Sequence, residues 1–128
     1  MGDPSVSEAD LQVAKEFLET LAAAAKTGER EALYPLLAPD VAWLTPQTDL
    51  HGIDEVRDRL TWLTPKHRLE IEFEKIGLTD LGEGRVASDV HEIYSMREGG
   101  EFAYARDRRI ELTIREGKIA RYEMRIVG

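Results

Sequence analysis

The chain has 128 residues, a hydrophobic share of 42% and no cysteine, so it can bury the core of one domain and forms no disulfide. Its net charge of −8 at pH 7 disfavours nucleic acids and anionic membranes as partners, because both attract basic surfaces. No apolar run approaches the length that spans a bilayer and no signal peptide is recognisable, which favours a cytoplasmic protein.

The first strong pattern in the chain is that of an amphipathic helix. Apolar residues recur at helical spacing from Leu11 to Ala25 and give the helix one apolar face. Gly28 follows a basic last turn and is expected to end this helix. We therefore expect a short tail over residues 1–6 and a single domain over residues 7–128.

Two more helices and a short strand are expected in the first half of the chain. Residues 29–37 predict a second helix that Pro35 shortens or kinks, because proline has no amide hydrogen to donate. Residues 41–44 predict a short strand, and an irregular connection follows it. Apolar residues at helical spacing predict a third helix over residues 53–63, which Pro65 ends.

In the second half of the chain the apolar spacing changes from helical to alternating, which predicts strands. The predicted strands are residues 69–74, 86–96, 101–115 and 119–127, and glycine-containing turns join them. We expect these strands to form an antiparallel meander. The predicted fold class is α+β, with three N-terminal helices packed on a curved antiparallel sheet.

The strand over residues 101–115 carries two arginines, Arg106 and Arg108, on its apolar face. Such arginines are costly unless they are paired or reach solvent. Matching the apolar faces across the hairpin brings Glu92 to the same face. The functional interpretation is a polar floor that orients a carboxylate, phosphate or carbonyl group of a ligand, with Glu92 as a candidate general base. The structural interpretation is an ion-pair network that neutralises itself.

A different register of the same hairpin gives an alternative site. A shift by one residue would bring Asp89 and His91 inward, where they and Asp107 could perform acid–base chemistry. The same shift would turn the apolar residues outward, so we expect His91 to face solvent. His91 is therefore the second candidate for a catalytic base, after Glu92.

Aromatic side chains are expected to converge on a pocket, where a hydroxyl or indole N–H could fix a ligand. The candidates are Tyr34, Trp43, Trp62, Tyr94, Tyr104 and Tyr122, and each of them could equally be an ordinary core residue. The histidines at 51, 67 and 91 are scattered and no cysteine accompanies them. We therefore expect no metal site and no cofactor.

Four segments of the sequence form a recognisable series. They are residues 28–33 (GEREAL), 37–43 (LAPDVAW), 51–60 (HGIDEVRDRL) and 115–119 (REGKI). In this order they resemble the nuclear-transport-factor-2-like superfamily, in particular its SnoaL-like (polyketide-cyclase-like) branch. The resemblance implies a cone-shaped α+β barrel with a pocket between the helices and the concave face of the sheet. It also implies a homodimer, and a function among isomerases, cyclases, hydrolases and binding proteins.

The catalytic residues that the resemblance implies do not all transfer to this sequence. Thr45 precedes Pro46 where a ketosteroid-isomerase-like member has its general-base aspartate, and Leu21 stands where that enzyme has its oxyanion-stabilising tyrosine. Met124 lies near the position of the last-strand aspartate of an epoxide-hydrolase-like member. The expected function is therefore binding of a hydrophobic small molecule with an anionic or carbonyl group. The alternatives are acid–base catalysis on such a molecule and a dimeric interaction module.

Overall fold

The structure is a computed structural model that describes residues 8–27, 29–60, 69–96 and 98–127. Its helices are α1 (Glu8–Thr27), a short 3-10 helix (Tyr34–Leu36) and α2 (Ile53–Arg59). Its strands are β1 (Leu37–Thr45), β2 (Thr48–His51), β3 (Leu69–Gly82), β4 (Arg85–Met96), β5 (Phe102–Arg115) and β6 (Lys118–Ile126). Neither α-helix in the described part of the chain is long and apolar enough to cross a membrane.

Helix α1 forms where the apolar spacing predicts it. Its buried face includes Phe17, Leu18 and Leu21, and it packs on β3 and also reaches β5 and β6. The first turn contains Glu8 and the last turn contains Lys26, charges that complement the helix dipole. The longest helix of the fold is thus defined locally by the sequence.

The prediction of three N-terminal helices is wrong. In place of the second helix, residues 31–33 form a turn and a single 3-10 turn follows at Tyr34–Leu36. Pro35 is tolerated at this helix start, but the chain then becomes extended at Leu37 and enters β1. The fold therefore contains two α-helices within the described residues.

The third predicted helix exists but is shorter than expected. Helix α2 ends at Arg59, because the backbone of Leu60 is already extended, with φ −75° and ψ 101°. The Arg30 guanidinium donates a hydrogen bond to the Leu60 carbonyl oxygen at this end. The predicted continuation over residues 61–63 lies outside the described residues.

The six strands form one sheet in the order β2-β1-β6-β5-β4-β3. Strands β3 to β6 are the predicted antiparallel meander, which is confirmed. The sheet is mixed, however, because β1 runs parallel to β6, with Trp43 beside Tyr122. Strand β2 was not predicted; it pairs with β1 through a tight turn that joins Thr45 to Thr48.

The sheet buries one face against α1, and we call this the inner face. In β4 it carries Val86, Val90, Glu92 and Tyr94, while Asp89 is on the exposed outer face. The centre of the core is an aromatic cluster on this inner face. Its members are Phe17, Trp43 and Tyr122.

Two rings of this aromatic cluster lie flat against each other. Trp43 and Tyr122 stack with ring centroids 3.9 Å apart and planes at 18°, and Phe17 of α1 meets both rings edge-on. Such pairs stabilise a core beyond their buried area. They join the parallel β1–β6 contact to α1.

The register of β4 and β5 places the polar residues of the inner face. Glu92 is directly opposite Arg106, and Tyr94 is opposite Tyr104. The β3–β4 turn supports this register, because the amide of Ile114 in β5 donates to the carbonyl oxygen of Gly84 at 2.8 Å. The close approach leaves no room for a side chain at position 84.

Gly84→Ala should destabilise the protein more than Gly99→Ala, which is a matched control. Both glycines have positive φ, 76° and 83°, so alanine is strained at either position. Only at Gly84 would the new Cβ meet the Ile114 carbonyl oxygen at 2.8 Å. We expect an additional loss of about 1–3 kcal/mol in unfolding free energy, measured in urea. Equal losses for the two variants would contradict this reading of the contact.

Candidate functional site

A cavity of about 250 Å³ lies between the inner face of the sheet and the β1–β2 turn. Its lining comprises Thr45, Pro46, Gln47 and Thr48 from the turn, Ile71 from β3, Glu92 and Tyr94 from β4, Tyr104, Arg106 and Arg108 from β5, and Tyr122, Met124 and Ile126 from β6. The charged groups come from β4 and β5, and the residues of β6 and β3 are mostly apolar. The cavity thus has a polar side and an apolar side.

The polar side is built on a buried ion pair between Glu92 and Arg108. Glu92 is only 3% exposed, and its Oε1 accepts a hydrogen bond from Nε of Arg108. The Tyr94 hydroxyl donates to the same oxygen at 3.0 Å and accepts from Nη2 of Arg108 at 2.9 Å. These three side chains form a closed hydrogen-bonded cluster in which the two charges neutralise each other.

The buried and charged surroundings of this cluster raise the pKa values of Tyr94, Tyr122 and Arg108. Burial raises the pKa of the Tyr94 hydroxyl to about 12, and the Glu92 carboxylate adds to the rise. Burial, followed by the same carboxylate, also raises the pKa of Tyr122. Burial acts most strongly and would lower the pKa of the Arg108 guanidinium, but the charges and hydrogen bonds of Glu92 and Tyr94 together outweigh it and the pKa rises. At neutral pH both tyrosines therefore keep their protons and Arg108 keeps its charge.

Arg106 lines the same cavity but is not part of the cluster. Within the described residues it forms no ion pair, although it stands directly opposite Glu92 in the sheet. Its guanidinium carbon lies 5.1 Å from the ring centroid of Tyr104, a distance at which a cation interacts with an aromatic face. One carboxylate and two guanidiniums thus line the described cavity, which leaves a net charge of +1.

Six of the residues proposed from the sequence line this cavity together. They are Glu92, Tyr94, Tyr104, Arg106, Arg108 and Tyr122. The face of β4 and β5 that alternation assigned inward is therefore the face that meets the cavity. The structure divides the expected polar floor, however, because Arg108 is bound within the cluster and Arg106 is outside it.

Two of the aromatic candidates do not reach the cavity, and one lies outside the described residues. Tyr34 is buried under the guanidinium of Arg57, whose carbon is 4.4 Å from the ring centroid. Trp43 is fully buried in the core, where its ring stacks on the ring of Tyr122. Trp62 is the candidate outside the described residues.

His91 lies on the outer face of the sheet and does not reach the cavity. Its Nδ1 is 2.6 Å from Oδ1 of Asp107, and its Nε2 is 3.4 Å from Oε2 of Glu74. The shifted register is therefore wrong, because the observed pairing keeps the apolar residues of β4 inward. The expected contact of His91 with Asp107 exists, but on a solvent-accessible surface.

The β1–β2 turn is the part of the site that sequence reasoning missed. It contributes Thr45, Pro46, Gln47 and Thr48 to the cavity, although the sequence suggested only an irregular connection. A proline directly after a short strand was the available signal for a tight turn. Thr45, where the resemblance implies an aspartate, lines the cavity with a side chain that is no base at neutral pH.

No family model matches the chain, and no curated protein matches its sequence. Solved structures do match its fold. An NTF2-like protein from Anabaena variabilis superposes with a TM-score of 0.81 and 18% identity, covering 100% of this chain and 95% of that one. This chain has the nuclear-transport-factor-2-like fold.

Two further solved structures share the NTF2-like fold. A proposed isomerase from Bacillus subtilis matches with a TM-score of 0.74 and 16% identity, covering 92% of this chain and 88% of that one. A proposed polyketide cyclase from Xanthomonas campestris matches with a TM-score of 0.69 and 21% identity, covering 91% of each chain. The fold expected from the sequence resemblance is confirmed, and at these identities the likeness concerns the fold alone.

Arg108→Met should destabilise the protein far more than Arg106→Met. The first change leaves the Glu92 carboxylate buried without its cation, which typically costs about 3–5 kcal/mol. Arg106 is exposed and its loss should cost less than about 1 kcal/mol. The two residues lie on the same face of β5, so urea unfolding of the variants isolates the effect of the pair. Similar losses would show that the Glu92–Arg108 contact contributes nothing special.

The unfolding free energy should fall as the pH rises from 10 to 12, in part because of Tyr94. In the unfolded chain this hydroxyl ionises near pH 10, whereas in the fold its pKa is about 12. The contribution of the Tyr94 hydroxyl to the unfolding free energy is therefore fully present below pH 10 and is lost as the pH approaches 12. Tyr94→Phe should make this fall shallower, as measured by urea unfolding at successive pH values. If the fall is equally steep in Tyr94→Phe and in the native protein, the raised pKa of Tyr94 is not its cause.

Proposed function

We propose that this domain binds a small, largely apolar organic anion in the cavity. The observation that carries the proposal is the Arg106 guanidinium, which lines the cavity without a carboxylate partner among the described residues. It gives the cavity a net positive charge in a chain whose net charge is −8. A guanidinium binds planar anions such as carboxylates through two parallel hydrogen bonds.

The size and the apolar side of the cavity limit the rest of the ligand. A volume of about 250 Å³ is slightly below the usual range of ligand pockets, which is about 300–1,000 Å³. The flanking strands β3 and β6 offer apolar surface beside the polar cluster, from Ile71, Tyr122, Met124 and Ile126. The Met124 Sδ accepts a hydrogen bond from Nη1 of Arg108 at 3.0 Å. The volume and the apolar surface favour a compact molecule with an apolar body. The net charge of +1 in the cavity favours an anionic group over a neutral carbonyl group.

Acid–base catalysis by an isomerase, cyclase or hydrolase is less well supported by this geometry. Glu92 is the carboxylate that lines the described cavity, and Arg108 and Tyr94 both bind its Oε1. A proton taken from a substrate by Glu92 would weaken this ion pair. The Tyr94 hydroxyl, whose pKa is about 12, keeps its proton and already donates it to Glu92, so it is not suited to act as a base.

A role as a dimeric interaction module also has weaker support. On the outer face, the carboxylate of Glu111 is 3.6 Å from Arg85 and 3.3 Å from Arg125, so these charges already pair within the chain. The homodimer that the resemblance implies remains a prediction. A dimer formed through this face would be polar and sensitive to salt.

Arg106→Gln should weaken the binding of apolar carboxylates, and Arg109→Gln is its matched control. Arg109 lies on the opposite, outer face of the same strand, beside Asp89. We expect cyclohexanecarboxylate or benzoate to bind the native protein at least about tenfold more tightly than the corresponding amide, since hydrogen bonds to charged groups contribute about 1.5–3 kcal/mol. Isothermal titration calorimetry should show this preference lost in Arg106→Gln and retained in Arg109→Gln.

Two results would overturn the proposed function. One is that neither carboxylate binds the native protein. The other is that Arg106→Gln binds both carboxylates as the native protein does.

A further inference from the structure

The polar side of the cavity contains a flat aromatic wall. The rings of Tyr94 and Tyr104 stack with centroids 4.4 Å apart and planes at 16°. Tyr94 is buried at 7% exposure, while Tyr104 at the cavity is 38% exposed. The stack is therefore closed on the Tyr94 side and accessible at Tyr104. The guanidinium carbon of Arg106 lies over the same ring, 5.1 Å from its centroid, so a ligand ring packs against the exposed edge of Tyr104. Such an edge-to-face contact contributes more than its buried area alone provides.

A hydrogen-bond acceptor in the cavity also lacks a donor. Both hydrogen bonds to the Glu92 carboxylate, from Arg108 and Tyr94, reach Oε1. In the part of the chain that the structure describes, no donor reaches Oε2, although Glu92 is 97% buried and lines the cavity. A carboxylate oxygen can accept more than one hydrogen bond, so this atom favours a ligand in the cavity that brings a donor.

The sheet register places this acceptor close to the cation. Glu92 and Arg106 are direct partners on neighbouring strands of the inner face, and such partners have Cβ atoms about 4.5–5.5 Å apart. The guanidinium of Arg106 is turned towards the ring of Tyr104. A cation, the exposed edge of an aromatic ring and an acceptor thus lie within the span of one small molecule.

We propose that the ligand is a planar aromatic carboxylate that carries a ring hydroxyl. Its carboxylate binds Arg106, its ring lies against Tyr104, and its hydroxyl donates to Oε2 of Glu92. This assignment rests on the proposed function and narrows it, because an aliphatic acid satisfies the cation but neither the aromatic wall nor the acceptor.

The aromatic wall is tested with benzoate and cyclohexanecarboxylate, which have the same charge and nearly the same size. Benzoate should bind roughly threefold more tightly or better, since an edge-to-face contact between aromatic rings contributes about 0.5–1.5 kcal/mol. In Tyr104→Leu, which keeps an apolar side chain at an accessible position, the two acids should bind equally. The outer-face variant Arg109→Gln is the control, and it should retain the preference for benzoate.

The free acceptor is tested by changing the ligand, because a substitution of Glu92 would also break its pair with Arg108. The meta- and para-hydroxybenzoates are compared with benzoate and with their methoxy analogues, which cannot donate a hydrogen bond. The better hydroxybenzoate should bind about tenfold more tightly than benzoate, and its methoxy analogue should lose this gain.

The outcomes of these titrations separate the two proposals. If all the acids bind with equal affinity and all lose affinity in Arg106→Gln, the proposal of an aromatic hydroxy acid as the ligand is wrong and the proposed function stands. If the methoxy analogues bind as tightly as the hydroxybenzoates, the role of Glu92 as acceptor is wrong. If no acid binds at all, the proposed function fails, and this inference fails with it.

Discussion

The site depends on one buried contact, the ion pair between Glu92 and Arg108. The register of the sheet offers Glu92 two guanidiniums, with Arg106 directly opposite and Arg108 diagonal to it. Glu92 bonds to Arg108, and the Tyr94 hydroxyl completes the cluster. Because one carboxylate can neutralise only one of the two cations, the other remains at the cavity. The electrostatic character of the cavity follows from this choice of partner.

The fold supplies the rigidity that such a pair requires. Buried ions contribute favourably only when their geometry is held, and here they lie between long strands of a continuous antiparallel meander. Below them the stacked rings of Trp43 and Tyr122 join β1 to β6, and Phe17 ties both to α1. A site built on strands keeps its side chains in place before any ligand arrives, which lowers the ordering cost of binding.

Much of this arrangement could be predicted from the sequence, where local periodicity determines it. Alternation with a period of two assigned Arg106 and Arg108 to one face of β5, and matching the apolar faces across the hairpin assigned Glu92 of β4 to the same face. Two features could not be predicted in this way. The parallel pairing of β1 with β6 joins segments far apart in the chain. The choice of Arg108 over Arg106 as the partner of Glu92 depends on side-chain conformations that alternation does not determine. The prediction of the second helix was wrong because the chain forms only a single 3-10 turn at Tyr34–Leu36 and is already extended at Leu37.

Tyr122 belongs to the core and to the cavity at once. Its ring stacks on the ring of Trp43, and its side chain also lines the cavity beside the β1–β2 turn. A smaller residue at this position would enlarge the cavity only by opening the core beneath it. Pro46 and Gln47, in contrast, are exposed and line the same cavity. The cavity therefore has one wall whose shape is bound to the stability of the whole domain, and another on which new ligand preferences can arise at little cost.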